Sequence, residues 1–121
     1  FWAALAGEEA LARAMYDSLA REQPESRIVL LQIAWHRALE RDKVGALATE
    51  QQALALPERT GRAGPEANLR ARIAVALGDR DGAVRLLHES MRLDWSAENI
   101  YFDPALRSLH GYAPFEALIQ R

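Results

Sequence analysis

Apolar residues recur at three- and four-residue spacing through most of the chain, in blocks separated by Gly, Pro and Asp. The breaks fall at Gly7, Pro24, Asp42, Gly61 to Pro65, Gly78, Asp94 to Ser96, Asp103-Pro104 and Gly111. This pattern predicts helices over 8–22, 25–41, 43–56, 66–77 and 81–93. A short turn of helix is expected at 97–101, then terminal helices at 104–110 and 114–120. Pro65 and Pro104 suit a first helical position, where the missing N–H costs nothing. Gly78 and Gly111 suit the left-handed residue just past a helix end, and Asp81 is the expected cap of the helix that follows it.

The predicted helices form antiparallel pairs joined by tight turns, and the pairs repeat. Ala12 to Ala46 spans 34 residues and Leu19 to Ala53 again 34, whereas Ala46 to Ala83 spans 37. The three extra residues fit in the connector around Gly61 to Pro65. A period of this length marks stacked helix pairs, each burying its apolar face on the next.

These residues resemble the tetratricopeptide repeat, in which small residues of paired helices meet across a turn glycine. Gly7, Ala12, Tyr16 and Pro24 match the second half of one repeat, with Leu19 at the second small position. Leu30, Ile33, Ala34, Ala46 and Ala53 match a whole second repeat, with Arg41 in place of the turn glycine. Ala71, Leu77, Gly78, Ala83 and Leu87 match a third, with Ser90 as a small residue and Arg70 and Ala74 departing from the pattern. The stretch from Asp103-Pro104 to Pro114-Phe115 is similar to the segment that closes the last repeat in bacterial members. The resemblance implies an all-α fold, antiparallel helix pairs stacked as a short solenoid over 1–94 with a capping segment over 95–121. Trp95, Ile100, Tyr101, Phe102, Tyr112 and Phe115 are the residues expected to cover the open end.

Composition agrees with helix. Ala, Leu, Arg, Glu and Lys supply 66 of 121 residues, while Val, Ile and Thr supply 11, too few for a sheet protein. A net charge of −2 gives no electrostatic case for nucleic acid or an anionic membrane. The chain has no cysteine, which excludes disulfides and thiolate chemistry. No apolar run approaches the length of a membrane span. A cytoplasmic location is expected. The chain begins without Met inside a helical pattern, so it reads as the C-terminal piece of a longer bacterial polypeptide, with Phe1 and Trp2 once packed on upstream structure.

Reactive constellations are hard to find. His36, His88 and His110 lack metal-ligand spacing. Asp79, Asp81 and Gly82 are better explained by helix capping than by a calcium loop, and Gly61 to Gly64 lacks the Lys-Ser/Thr of a phosphate loop. The expectation is therefore a protein without catalytic residues, metal or cofactor. Arg59, Arg62, Arg70 and Arg72, interleaved with Glu58 and Glu66, read as a solvated surface.

The resemblance implies that the first helix of each pair lines a groove. Ile28, Leu31, Trp35, Ala38 and Leu39 are expected there, followed by Asn68, Arg72 and Val75. Such a floor suits an amphipathic helix or a peptide with a carboxylate, with Trp35 as anchor and Arg72 as the orienting charge. The competing assignment makes the stripe core. The expected function is protein or peptide binding within a regulatory protein. The alternatives are a small-ligand sensor around Trp35, attached to a kinase, cyclase or winged-helix regulator, and self-association through the Phe1-Trp2 end.

Overall fold

The computed structural model describes residues 6–57, 63–93 and 95–120, the side chains of 6–10, 12 and 63 excepted. Phe1, Trp2, the Ala12 side chain, Glu58, Arg59, Gly61 and Arg62 lie outside the described residues. The fold is all-α. Helices run α1 Ala6–Glu22, α2 Arg27–Leu39, α3 Lys43–Leu54, α4 Ala63–Ala76, α5 Arg80–Arg92, α6 Ala97–Tyr101 and α7 Ala113–Ile119. A 3-10 helix, Pro104–Leu109, stands where an α-helix was expected, and no strand occurs among the described residues.

Helix starts follow side-chain capping, in which an oxygen accepts from an otherwise unpaired N–H of the first turn. Ser26 caps α2 through the Val29 N–H at 3.3 Å, and Ser96 caps α6 through the Asn99 N–H at 3.1 Å. Asp42 and Asp79 cap α3 and α5 through the Gly45 and Gly82 N–H groups, both at 2.9 Å. A Cβ at Gly45 or Gly82 would collide with the capping carboxylate, so the Asp-x-x-Gly spacing is one steric unit. Asp81 is therefore not the cap of α5. Its carboxylate accepts from the Tyr112 hydroxyl, which ties α7 to α5 and raises the phenol's pKa above its ordinary value.

The turns ending α2 and α4 are equivalent at a spacing of 37. Arg41 N–H donates to the Ala38 carbonyl and Asp42 N–H to that of Arg37. Gly78 and Asp79 repeat this with Val75 and Ala74. Both turns need a left-handed residue, and it is Gly78 at φ 84° in one and Arg41 at φ 64° in the other. A side chain is strained there. Arg41→Gly should thus stabilise the chain by about 0.5–1 kcal/mol in urea melts, and a neutral or destabilising result would show that the exposed Arg41 side chain has a role of its own. Gly7, by contrast, lies within α1 and makes no turn.

Pairing follows the small residues. Ala34 and Ala46 are fully buried where α2 meets α3, as are their counterparts Ala71 and Ala83 where α4 meets α5. The second small position is Ala53 in α3 and Ser90 in α5, both fully buried. Ser90 Oγ donates to the Gly64 carbonyl at 2.9 Å, and a Cβ at Gly64 would stand 3.0 Å from the Leu93 carbonyl oxygen. That close approach lets α4 begin at Ala63, so Pro65 is its third residue and not its first.

The apolar interior has two parts. Leu30, Leu31, Ile33 and Ala38 of α2 meet Ala46 and Ala53 of α3 and Leu69 and Ile73 of α4, with Tyr16 and Ala20 of α1 packed outside. In the second part, Ala71, Ala83 and Leu87 meet Ile100, Leu106, Leu109, Phe115 and Leu118 of the tail. Ile100 and Phe115 are fully buried there as expected, with Trp95, Tyr101 and Tyr112 half-buried. Phe102 is the exception at 76% exposed. It ends α6, and the chain turns there so that Asp103 and not Phe102 faces inward.

Candidate functional site

The face of α2 left open by its neighbours runs along Ile28, Gln32, Trp35 and Leu39, at helical spacing of 4, 3 and 4. Ile28 and Trp35 are half-buried, Gln32 is exposed, and Leu39 is 55% exposed. Leu31, expected in the groove, is fully buried against α4 and belongs to the core, as does Ala38. The reason is rotational. Leu31 sits about 100° round the helix from Gln32, on the side where α4 packs. Its counterpart 37 residues on is Asn68, which is 3% exposed and equally unable to line an open groove.

Arg72 is the counterpart of Trp35, and the two meet. Its guanidinium carbon lies 5.1 Å from the centre of the Trp35 ring, a cation–π contact between α2 and α4. The same guanidinium is committed to Asp103, with Nη2 at 2.7 Å and Nε at 2.9 Å from one carboxylate oxygen. Asn68 Nδ2 donates to that oxygen at 3.3 Å, and the Ala105 N–H donates to the other at 2.9 Å. Asp103 is thereby buried and satisfied, and it pins the tail to α4. Arg72 is therefore not the free orienting charge expected from the sequence. Its charge is neutralised within the chain.

No family model, curated protein or solved structure matches this chain. The site must be read from its own geometry.

That geometry is apolar and rigid. Trp35 is held from one side by Arg72, which is held by Asp103, so little rotamer freedom is left to lose on contact with another molecule. The three histidines lie elsewhere. His36 packs at a tilt beside Tyr16 with ring centres 4.7 Å apart and stands 3.8 Å from Glu40, His110 stacks on Tyr101 at 4.2 Å, and His88 is exposed. Among the described residues no three metal-ligating side chains come together, and no helix is long and apolar enough to cross a membrane.

At the positions described, the arginines expected on a solvated surface are partly exposed and ion-paired. Arg70 pairs with Glu50 at 3.0 Å and Arg72 with Asp103. Glu66 is 6% exposed and takes both Nε and Nη2 of the buried Arg27, at 3.0 and 2.9 Å. Sequence reasoning missed Arg27 and Asp103 altogether. The only local signal for Asp103 was its place before Pro104, and that signals a cap and not an interhelical clamp.

Proposed function

We propose that this chain is a non-enzymatic helical-repeat module, tetratricopeptide-like in its stacking, that binds an apolar peptide or helix of a protein partner. The contact face is Ile28, Gln32, Trp35 and Leu39, with Arg72 beside Trp35. The observation that supports this most is Leu39, a large apolar side chain left 55% exposed next to a preorganised tryptophan. Tryptophan anchors dominate the energetics of protein interfaces, and an apolar stripe at helical spacing suits an apolar helix face. The repeat reading is supported by the helix pairs equivalent at 37 residues, with matched caps, turns and small buried positions.

Panning a displayed peptide library against the chain tests this. Selected peptides are expected to carry apolar residues at helical spacing. Leu39→Glu, at an exposed position, and Trp35→Ala should each weaken them by about 2 kcal/mol or more without loss of helix by circular dichroism. Peptides that bind both variants unchanged would return the stripe to packing alone.

A further inference from the structure

We propose that the groove between α3 and α5, floored by α4, docks an amphipathic helix of a protein partner whose acidic end lies between Lys43 and Arg85. The helices α3 and α5 pack on α2 and α4 rather than on each other, which leaves a cleft of about 530 Å3 between them. Leu47 and Leu86 line its two walls, and Ile73 and Leu77 form the floor. A second cleft of about 320 Å3 shares Arg70 and Leu86 with the first and carries the groove on to Leu54 and Leu93. From Lys43 to Leu54 is about 16 Å of helix, or three turns. Leu47 and Leu93 are 40% and 41% exposed along it. Two clefts in series, walled by residues at helical spacing, fit an elongated helix better than a compact ligand.

Charge fixes the polarity of the occupant. Of the acids at this groove, Glu50 pairs with Arg70, Glu66 with Arg27 and Glu89 with Arg92, while Asp79 caps α5 and keeps its charge in the larger cleft. Among the described residues Lys43 and Arg85, on opposite walls of the larger cleft, have no ion-pair partner. Lys43 opens α3 and Arg85 lies in the second turn of α5, and together they leave the larger cleft one positive charge in excess, so an acidic side chain is favoured between them. This groove is separate from the Trp35 face. Ile73, Leu77 and Arg70 lie about 100–160° round α4 from Arg72.

The test uses two synthetic helical peptides of about 16 residues, alike in a leucine face but ending in glutamates or in lysines, titrated onto the full chain by fluorescence anisotropy at low salt. The glutamate peptide is expected to bind at least about tenfold more tightly. The double variant Lys43→Glu, Arg85→Glu should reverse that preference, Leu47→Asp should weaken the glutamate peptide, and in Trp35→Ala the preference for glutamate over lysine should persist. Should the double variant lose helix, Lys43→Gln, Arg85→Gln must abolish the preference instead. Equal binding of the two peptides, a preference untouched by the charge changes, or a preference lost in Trp35→Ala would overturn the proposal. The last outcome would place the peptide on the Trp35 face and leave the proposed function standing.

Discussion

Arg27→Ala should destabilise the chain by about 3–5 kcal/mol, because it strands a nearly buried carboxylate without its partner. Arg27 and Glu66 side chains are each 8% exposed, so screening by solvent offers little relief. The loss extends beyond the pair. Arg27 Nη1 also donates to the Leu56 carbonyl at 2.6 Å and to that of Leu54 at 3.4 Å. These carbonyls lie at the C-terminal end of α3, where intrahelical partners run out. One guanidinium therefore joins the start of α2, the end of α3 and the first turn of α4. Denaturant melts of Arg27→Ala and of the double variant Arg27→Met, Glu66→Leu separate the contributions. The double variant should recover much of the loss, since apolar replacement of a whole buried pair is often neutral or better. A cost below about 1 kcal/mol for Arg27→Ala would mean that water fills the site and takes over these bonds.

Arg27 also shows where the sequence stops being legible. It follows Ser26 at the start of an apolar helix, and in that setting an arginine is ordinarily solvent-facing. Its burial depends on Glu66, 39 residues away, and no local pattern encodes that pairing. Asp103 is similar, being drawn inward by Arg72 and Asn68 from 31 and 35 residues away. Helix existence, by contrast, is a local property. Periodicity, Pro and Gly placed every helix of α1 to α7 within three residues of its ends, the 3-10 stretch differing in type and by one residue at its end.

The site falls between these cases. Spacing located the α2 stripe, but a few degrees of rotation decide which of two adjacent positions faces a neighbour. Leu31, expected on the open face, is buried in consequence, and its polar neighbour Gln32 is open. The Asp-x-x-Gly pair at 42–45 and 79–82 was a signal the sequence held in full. It marks the 37-residue register without reference to the alanines, through the matched caps of α3 and α5.

Phe115→Ala should cost about 3–5 kcal/mol, the range for truncating a fully buried aromatic side chain. Phe115 is 0% exposed and lies in one cluster with Ala71, Ala83 and Leu87. The alanines permit close helix approach but leave little apolar bulk of their own, so the tail must supply it. Ile100, Leu106, Leu109 and Leu118 share that task, yet Phe115 is the largest fully buried side chain among the described residues. Its ring also lies nearly parallel to those of Tyr101 and His110, at 6.4 and 6.0 Å between centres. The loss should be spatially uneven. Leu30, Leu31 and Ile33 belong to the other cluster, and hydrogen exchange should leave α2 and α3 better protected than α5 to α7 in the variant. Uniform loss of protection would mean that α4, which contributes Leu69 and Ile73 to one cluster and Ala71 to the other, couples the two into a single cooperative unit. Unchanged stability would make the tail a passenger, and the Asp103 contacts to Arg72 and Asn68 would then hold it in place without holding the fold together.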